Sequence, residues 1–153
     1  MRGIRRLRDG ILRISYEEAA KWYRLSADQG NMNAQQFLGR MYELGKGVPQ
    51  SYDEAFRWTR LSADQGNQHA QCNFGWLYQS GRGVPKSDVE AAKRYRLSAD
   101  QGNMNGQLRL GMLYEKGLGV EQSDIEAARW YMKSARRGNR PASIRLDGML
   151  KHD

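Results

Sequence analysis

The chain has 153 residues and a net charge of +8, from 25 lysines and arginines against 17 aspartates and glutamates. Its mean hydropathy of −0.85, with no apolar run near the ~20 residues of a membrane span, argues against a membrane-embedded helix. The single cysteine, Cys72, excludes an intramolecular disulfide and suits a reducing compartment, so a cytoplasmic location is expected.

The first predicted element is a basic segment over residues 1–14. It holds Arg2, Arg5, Arg6, Arg8 and Arg13 against Asp9 alone. Ile4, Leu7, Ile11 and Ile14 fall at helical spacing, which predicts an amphipathic helix, although Gly10 weakens every helical version. Three readings stand for it: a decayed half-repeat or cap, a basic helix lying on anionic lipid, or a targeting segment. The other pole of positive charge runs from Arg129 to Lys151, and the body between the two poles is close to electroneutral.

From Ser15 onward the elements repeat. Ser15 with Glu18 three residues later is a capping box, and it starts a helix that Gly30 stops. Ala19, Tyr23 and Ala27 lie on one stripe of that helix. A second helix follows from about Asn31 to Leu44, with Ala34, Leu38, Met41 and Tyr42 on its apolar face. The turn Gly45-Lys-Gly-Val-Pro49 closes the hairpin. The box returns as Ser51/Glu54, Ser87/Glu90 and Ser123/Glu126, always 36 residues on. The segment Leu25–Asn31 recurs unchanged at Leu61–Asn67 and Leu97–Asn103, and in altered form at Lys133–Asn139. Gly39, Gly75 and Gly111 share a column, as do Tyr42, Tyr78 and Tyr114. Trp22, Trp58 and Trp130 share a third, where the third copy has Arg94. The organisation expected is therefore a segment 1–14, repeats at 15–50, 51–86 and 87–122, and a truncated fourth at 123–153 acting as a C-terminal cap. A lone hairpin cannot bury both faces, so the copies must stack.

The columns Ala34, Leu38-Gly39, Tyr42, Gly45-x-Gly-Val, Glu54-Ala55, Trp58 and Ser62-Ala63 through Gly66 resemble the Sel-1-like repeat, a relative of the tetratricopeptide repeat. The resemblance covers roughly residues 15–150. It implies an all-α, right-handed α/α superhelical solenoid, in a family whose members mostly act as adaptors or scaffolds for protein complexes. Some bacterial members are cysteine-rich and secreted, and some are linked to β-lactam binding. This chain lacks their paired cysteines, which leaves β-lactam binding or hydrolysis as the least favoured alternative.

No catalytic constellation stands out, and neither a metal nor a cofactor is implied. His69 and Cys72 are three apart on a helix, but Asn33 and Asn105 occupy the histidine's column and no third ligand recurs. The glycine loops lack the Gly-Lys-Ser/Thr of a phosphate cradle. Asp28, Asp64 and Asp100 each lie four residues after an arginine (Arg24, Arg60, Arg96), which is repeated architecture rather than acid–base machinery. In the fourth copy Arg136 and Arg137 replace Asp-Gln near a helix C-terminus, where the dipole favours positive charge. In the same copy Asp147 stands in the glycine column.

In related superhelices the first helix of each hairpin lines the concave face, so its polar columns are the candidate contact residues. One column is Lys21, Arg57, Lys93 and Arg129; the next is Arg24, Arg60 and Arg96. Beside it runs Leu25, Leu61 and Leu97, a position where the resembled family often has lysine. Leucines flanked by cations suit an acidic peptide with apolar anchors. Two rival readings of the same residues have the leucines filling gaps between helices and the arginines spent on the aspartates. The function expected is thus a protein or peptide adaptor rather than an enzyme. Nucleic-acid or anionic-membrane binding through the basic ends is the second choice, and dimerisation through the repeat ends is left open.

Overall fold

The structure, a computed structural model, describes residues 4–6 and 12–151. It divides into two compact units, residues 1–67 and 68–153. The first unit holds two short strands, β1 (Ile4–Arg6) and β2 (Leu12–Ile14), then helices α1 (Tyr16–Asp28), α2 (Met32–Leu44) and α3 (Tyr52–Asp64). The second holds α4 (Gln68–Ser80), α5 (Asp88–Asp100), α6 (Met104–Lys116), α7 (Asp124–Arg136) and α8 (Arg140–Leu150). Apart from the strand pair, every regular element among the described residues is helical, as the 36-residue period required.

The strands correct the helical expectation for residues 1–14. β1 and β2 pair antiparallel with Ile4 opposite Ile14 and Arg6 opposite Leu12. Isoleucine is stiff at its branched Cβ and fits extended backbone better than helix. That preference outweighs the spacing of Ile4, Leu7, Ile11 and Ile14. The Leu7 and Ile11 positions lie outside the described residues.

The first helices start where their serines cap them. Ser15, Ser51, Ser87 and Ser123 each accept a hydrogen bond at Oγ from the backbone N–H of the glutamate three residues on, at 3.1–3.2 Å. Asn31, Asn103 and Asn139 cap α2, α6 and α8 in the same way. Gly45 ends α2 in the left-handed region at φ 66°. Gly47 then lies against the Tyr16 carbonyl at the start of α1, where a Cβ would clash with backbone. That contact folds the loop back onto its own hairpin.

Each unit has its own core. In the first, Trp58 packs with Ala27, Ala34 and Leu38, and Tyr23 and Tyr42 pack against that cluster. In the second, Tyr95, Leu110, Leu113 and Trp130 sit with Ala91, Ala92 and Ala99, while Tyr131 gathers Ala127 and Ala142. The glycine column makes these approaches close enough. A Cβ at Gly75 would lie 2.6 Å from the Tyr95 ring, and one at Gly111 would lie 2.7 Å from that of Tyr131. Buried serines tie hairpin to hairpin. Ser62 Oγ donates to the Met32 carbonyl (2.7 Å), Ser98 to Gln68 (2.8 Å) and Ser134 to Met104 (2.7 Å).

Candidate partner-binding surface

All ten candidate residues lie on the first helix of a hairpin, and all ten are exposed. In the first unit these are Lys21, Arg24 and Leu25 on α1 with Arg57, Arg60 and Leu61 on α3. In the second they are Lys93, Arg96 and Leu97 on α5 with Arg129 on α7. Leu25, Leu61 and Leu97 are 57%, 43% and 47% exposed, so the column is surface and not packing between helices. Trp58, three residues before Leu61, is 2% exposed. The two lie only about 60° apart around the helix, so the edge of its buried stripe runs between them.

The cations are only partly engaged. Arg24 reaches Asp28 at 3.2 Å and Arg60 reaches Asp64 at 3.7 Å, between side chains that are roughly half exposed or more. Arg57 pairs with Glu54 at 3.6 Å and Arg129 with Glu126 at 2.7 Å. Exposed pairs of this kind contribute about 0.2–1 kcal/mol each, so a partner's carboxylate can compete for them. Arg96 departs from the pattern: its Nη2 donates to Tyr114 Oη at 2.6 Å, and its guanidinium lies 5.4 Å from the Trp130 ring. Lys93 donates to Glu90 at 3.1 Å, and this bond, ahead of all other causes, holds the Glu90 carboxyl below its ordinary value. Arg24 and Arg57 each sit 5.2 Å from the Trp58 ring, so the cation columns also roof the buried indole.

In the first unit the surface deepens into a groove of about 620 Å³. Lys21, Arg24 and Leu25 form its edge, and Ala20, Leu38, Tyr42 and Val48 supply apolar lining. Sequence reasoning assigned Leu38 and Tyr42 to packing and Val48 to a turn. The signal that could have found them is the fold-back of the Gly45–Pro49 loop, which brings Val48 beside the first helix of its own repeat.

The Sel1 repeat family matches residues 3–31, 33–67, 68–103 and 105–139. The chain belongs to the Sel1 repeat family. Its repeat is taken there in another phase, with the second helix of one hairpin joined to the first helix of the next. Sel1 repeats are commonly protein-interaction modules and are typically non-catalytic helical scaffolds.

The chain is similar to the crystal structure of a protective antigen of uropathogenic Escherichia coli strains displaying an SLR fold. The two are 40% identical with a TM-score of 0.84 over 88% of this chain, which spans 29% of that one. It is also similar to a Sel1 repeat protein from Oxalobacter formigenes, at 40% identity and a TM-score of 0.75, covering 82% of this chain and 95% of that one. Cysteine-rich protein B of Helicobacter pylori shares the fold at 20% identity and a TM-score of 0.65, covering 81% of this chain and 94% of its own. No curated protein matches the chain.

His69, Cys72 and Tyr131 of these Sel1 repeats have structural work. His69 Nδ1 lies 3.2 Å from Asn103 Nδ2, as Asn33 Oδ1 lies 3.0 Å from Asn67 Nδ2, so the histidine stands in for a repeated asparagine. Cys72 packs against the Tyr95 cluster. Tyr131 donates to Glu115, and burial first, then this carboxylate, pushes its phenol well above the ordinary range. No described helix is long and apolar enough to cross a membrane.

Proposed function

We propose that this chain is an adaptor that binds a protein or peptide partner through the exposed leucine and cation columns of its first helices. The observation that carries the reading is the exposure of Leu25, Leu61 and Leu97 beside cations, of which Arg24 and Arg60 make only exposed ion pairs. An apolar side chain repeated at one exposed position, flanked by Lys21, Arg24, Arg57, Arg60, Lys93, Arg96 and Arg129, favours an acidic segment with aliphatic or aromatic anchors. The groove beside Leu25 is where such an anchor is expected to seat. No reaction is assigned to the chain, and the reading places it in the cytoplasm.

The test is affinity capture from nuclease-treated lysate with wild type and a Leu25/Leu61/Leu97→Lys variant shown by circular dichroism to be folded. A protein captured by wild type and lost with the variant supports the adaptor. Identical captures by both remove the leucine column from the site. Capture that disappears with nuclease moves the function to nucleic acid and the basic ends.

A further inference from the structure

The second unit has a cleft of about 500 Å³ whose lining includes Asp100, Gly102, Gln107, Lys133, Arg136 and Arg137. It contains none of the ten candidate contact residues. Three of its positions carry a positive charge that only the fourth copy has. Lys133 stands in the column of Leu25, Leu61 and Leu97, Arg136 in that of Asp28, Asp64 and Asp100, and Arg137 in that of Gln29, Gln65 and Gln101. Asp100 is the only acid lining the cleft, so its walls are net positive.

The change at Arg137 also breaks a repeated hydrogen bond. Gln35 and Gln71 are buried amides whose Oε1 accepts from the glutamine 30 residues on, Gln65 at 2.6 Å and Gln101 at 2.7 Å. Gln107 is the third of this series and is 4% exposed. Its Nε2 donates to the Ala99 carbonyl at 3.3 Å, as Gln35 does to Ala27. Its Oε1, on the side where position 137 should supply a glutamine, has no hydrogen-bond partner among the described residues. The Arg137 guanidinium lies over Gly102 instead, whereas the same space is open at Gly30 and Gly66. A buried acceptor without a donor is a standing cost that a ligand can relieve.

Cations beside an orphan carbonyl oxygen select for more than negative charge. A phosphodiester satisfies the cations but has no N–H or O–H to give the amide oxygen. A carboxylate with an N–H on the adjacent carbon satisfies both. We propose that this cleft captures an α-carboxylate together with its neighbouring N–H. Lys133, Arg136 and Arg137 take the carboxylate, and Gln107 Oε1 accepts from the N–H. The C-terminal residue of a polypeptide and a free amino acid share this chemistry, and Asp100 at the wall adds affinity for the ammonium of the second.

The probe is N-acetyl-trialanine with a free carboxylate, titrated against the full chain by nuclear magnetic resonance beside its C-terminal amide. The acid is expected to shift the Gln107 side-chain amide and the Trp130 indole and to bind roughly tenfold or more tightly than the amide. Arg137→Gln, which restores the glutamine column, should keep the melting temperature and lose binding by a similar ~10-fold factor. Absence of binding at millimolar peptide, equal binding of acid and amide, or undiminished binding by Arg137→Gln would each overturn the proposal. Free alanine competing at the peptide's own affinity assigns the cleft to amino acids, and its failure to compete assigns it to chain ends. A Leu25/Leu61→Lys variant leaves this cleft intact and should bind the probe as wild type does, so failure here and failure of the adaptor reading are separable.

Discussion

Trp58 and Leu61 sit three residues apart on one helix, and each belongs to a recurring column, yet the first is buried and the second is not. Recurrence alone therefore does not separate packing from surface in the sequence: the tryptophan column is buried at Trp58 and Trp130 but 61% exposed at Trp22. The structure separates them, and stability measurements should follow. Leu61→Lys is expected to change stability by no more than about 0.5 kcal/mol in chemical denaturation, whereas Trp58→Ala should lose about 3–5 kcal/mol. Glycines divide in the same manner. Gly75→Ala meets the Tyr95 ring and should cost about 1–3 kcal/mol, while Gly148→Ala meets nothing within 4 Å and should stabilise α8 by about 0.5–1 kcal/mol. Thermal melts of the two variants should therefore move in opposite directions. Glu90 offers a test by titration. Its carboxyl is depressed below the ordinary 4.5 chiefly by the Lys93 bond, so that bond's stabilisation is present above this value and is lost as pH falls through the lowered midpoint. Resonance titration should find Glu90 below the ordinary midpoint in wild type and higher in Lys93→Ala.

The helices were legible element by element because their ends are chemically marked. Serine with glutamate three residues on and asparagine at the second start are local signals, and the caps they specify form as bonds in the structure. Ser87→Ala should accordingly cost about 1 kcal/mol in thermal or urea unfolding. The segment before Ser15 departs from its helical spacing for a related reason. Four apolar residues at positions 4, 7, 11 and 14 satisfy a helical period by spacing alone, while extended pairing of Ile4 with Ile14 depends on a partner strand that periodicity does not see. Non-local hydrogen bonds escaped for the same cause. Nothing near Ser98 in sequence announces that its hydroxyl serves the Gln68 carbonyl, and Ser98→Ala should leave that carbonyl short of a donor at a cost of about 1–3 kcal/mol.

At the scale of the molecule, the 36-residue period pointed to stacked helical hairpins before any coordinate was needed, and the motif columns carried the resemblance to the family that the match bears out. The candidate surface was legible as columns, and what the structure adds is that those columns are exposed and that in the first unit they edge an apolar groove. The groove lining was hidden because Val48 reaches it through the turn of the Gly45–Pro49 loop and not through helical spacing. The most direct measurement is the affinity of an acidic peptide, selected from a library on the wild-type chain, for wild type and for Arg60→Glu/Leu61→Lys, with both melting temperatures recorded alongside. The account predicts a loss of roughly tenfold or more with no appreciable change in melting temperature. Equal affinity for the two proteins, or a collapse in the variant's melting temperature, would contradict it.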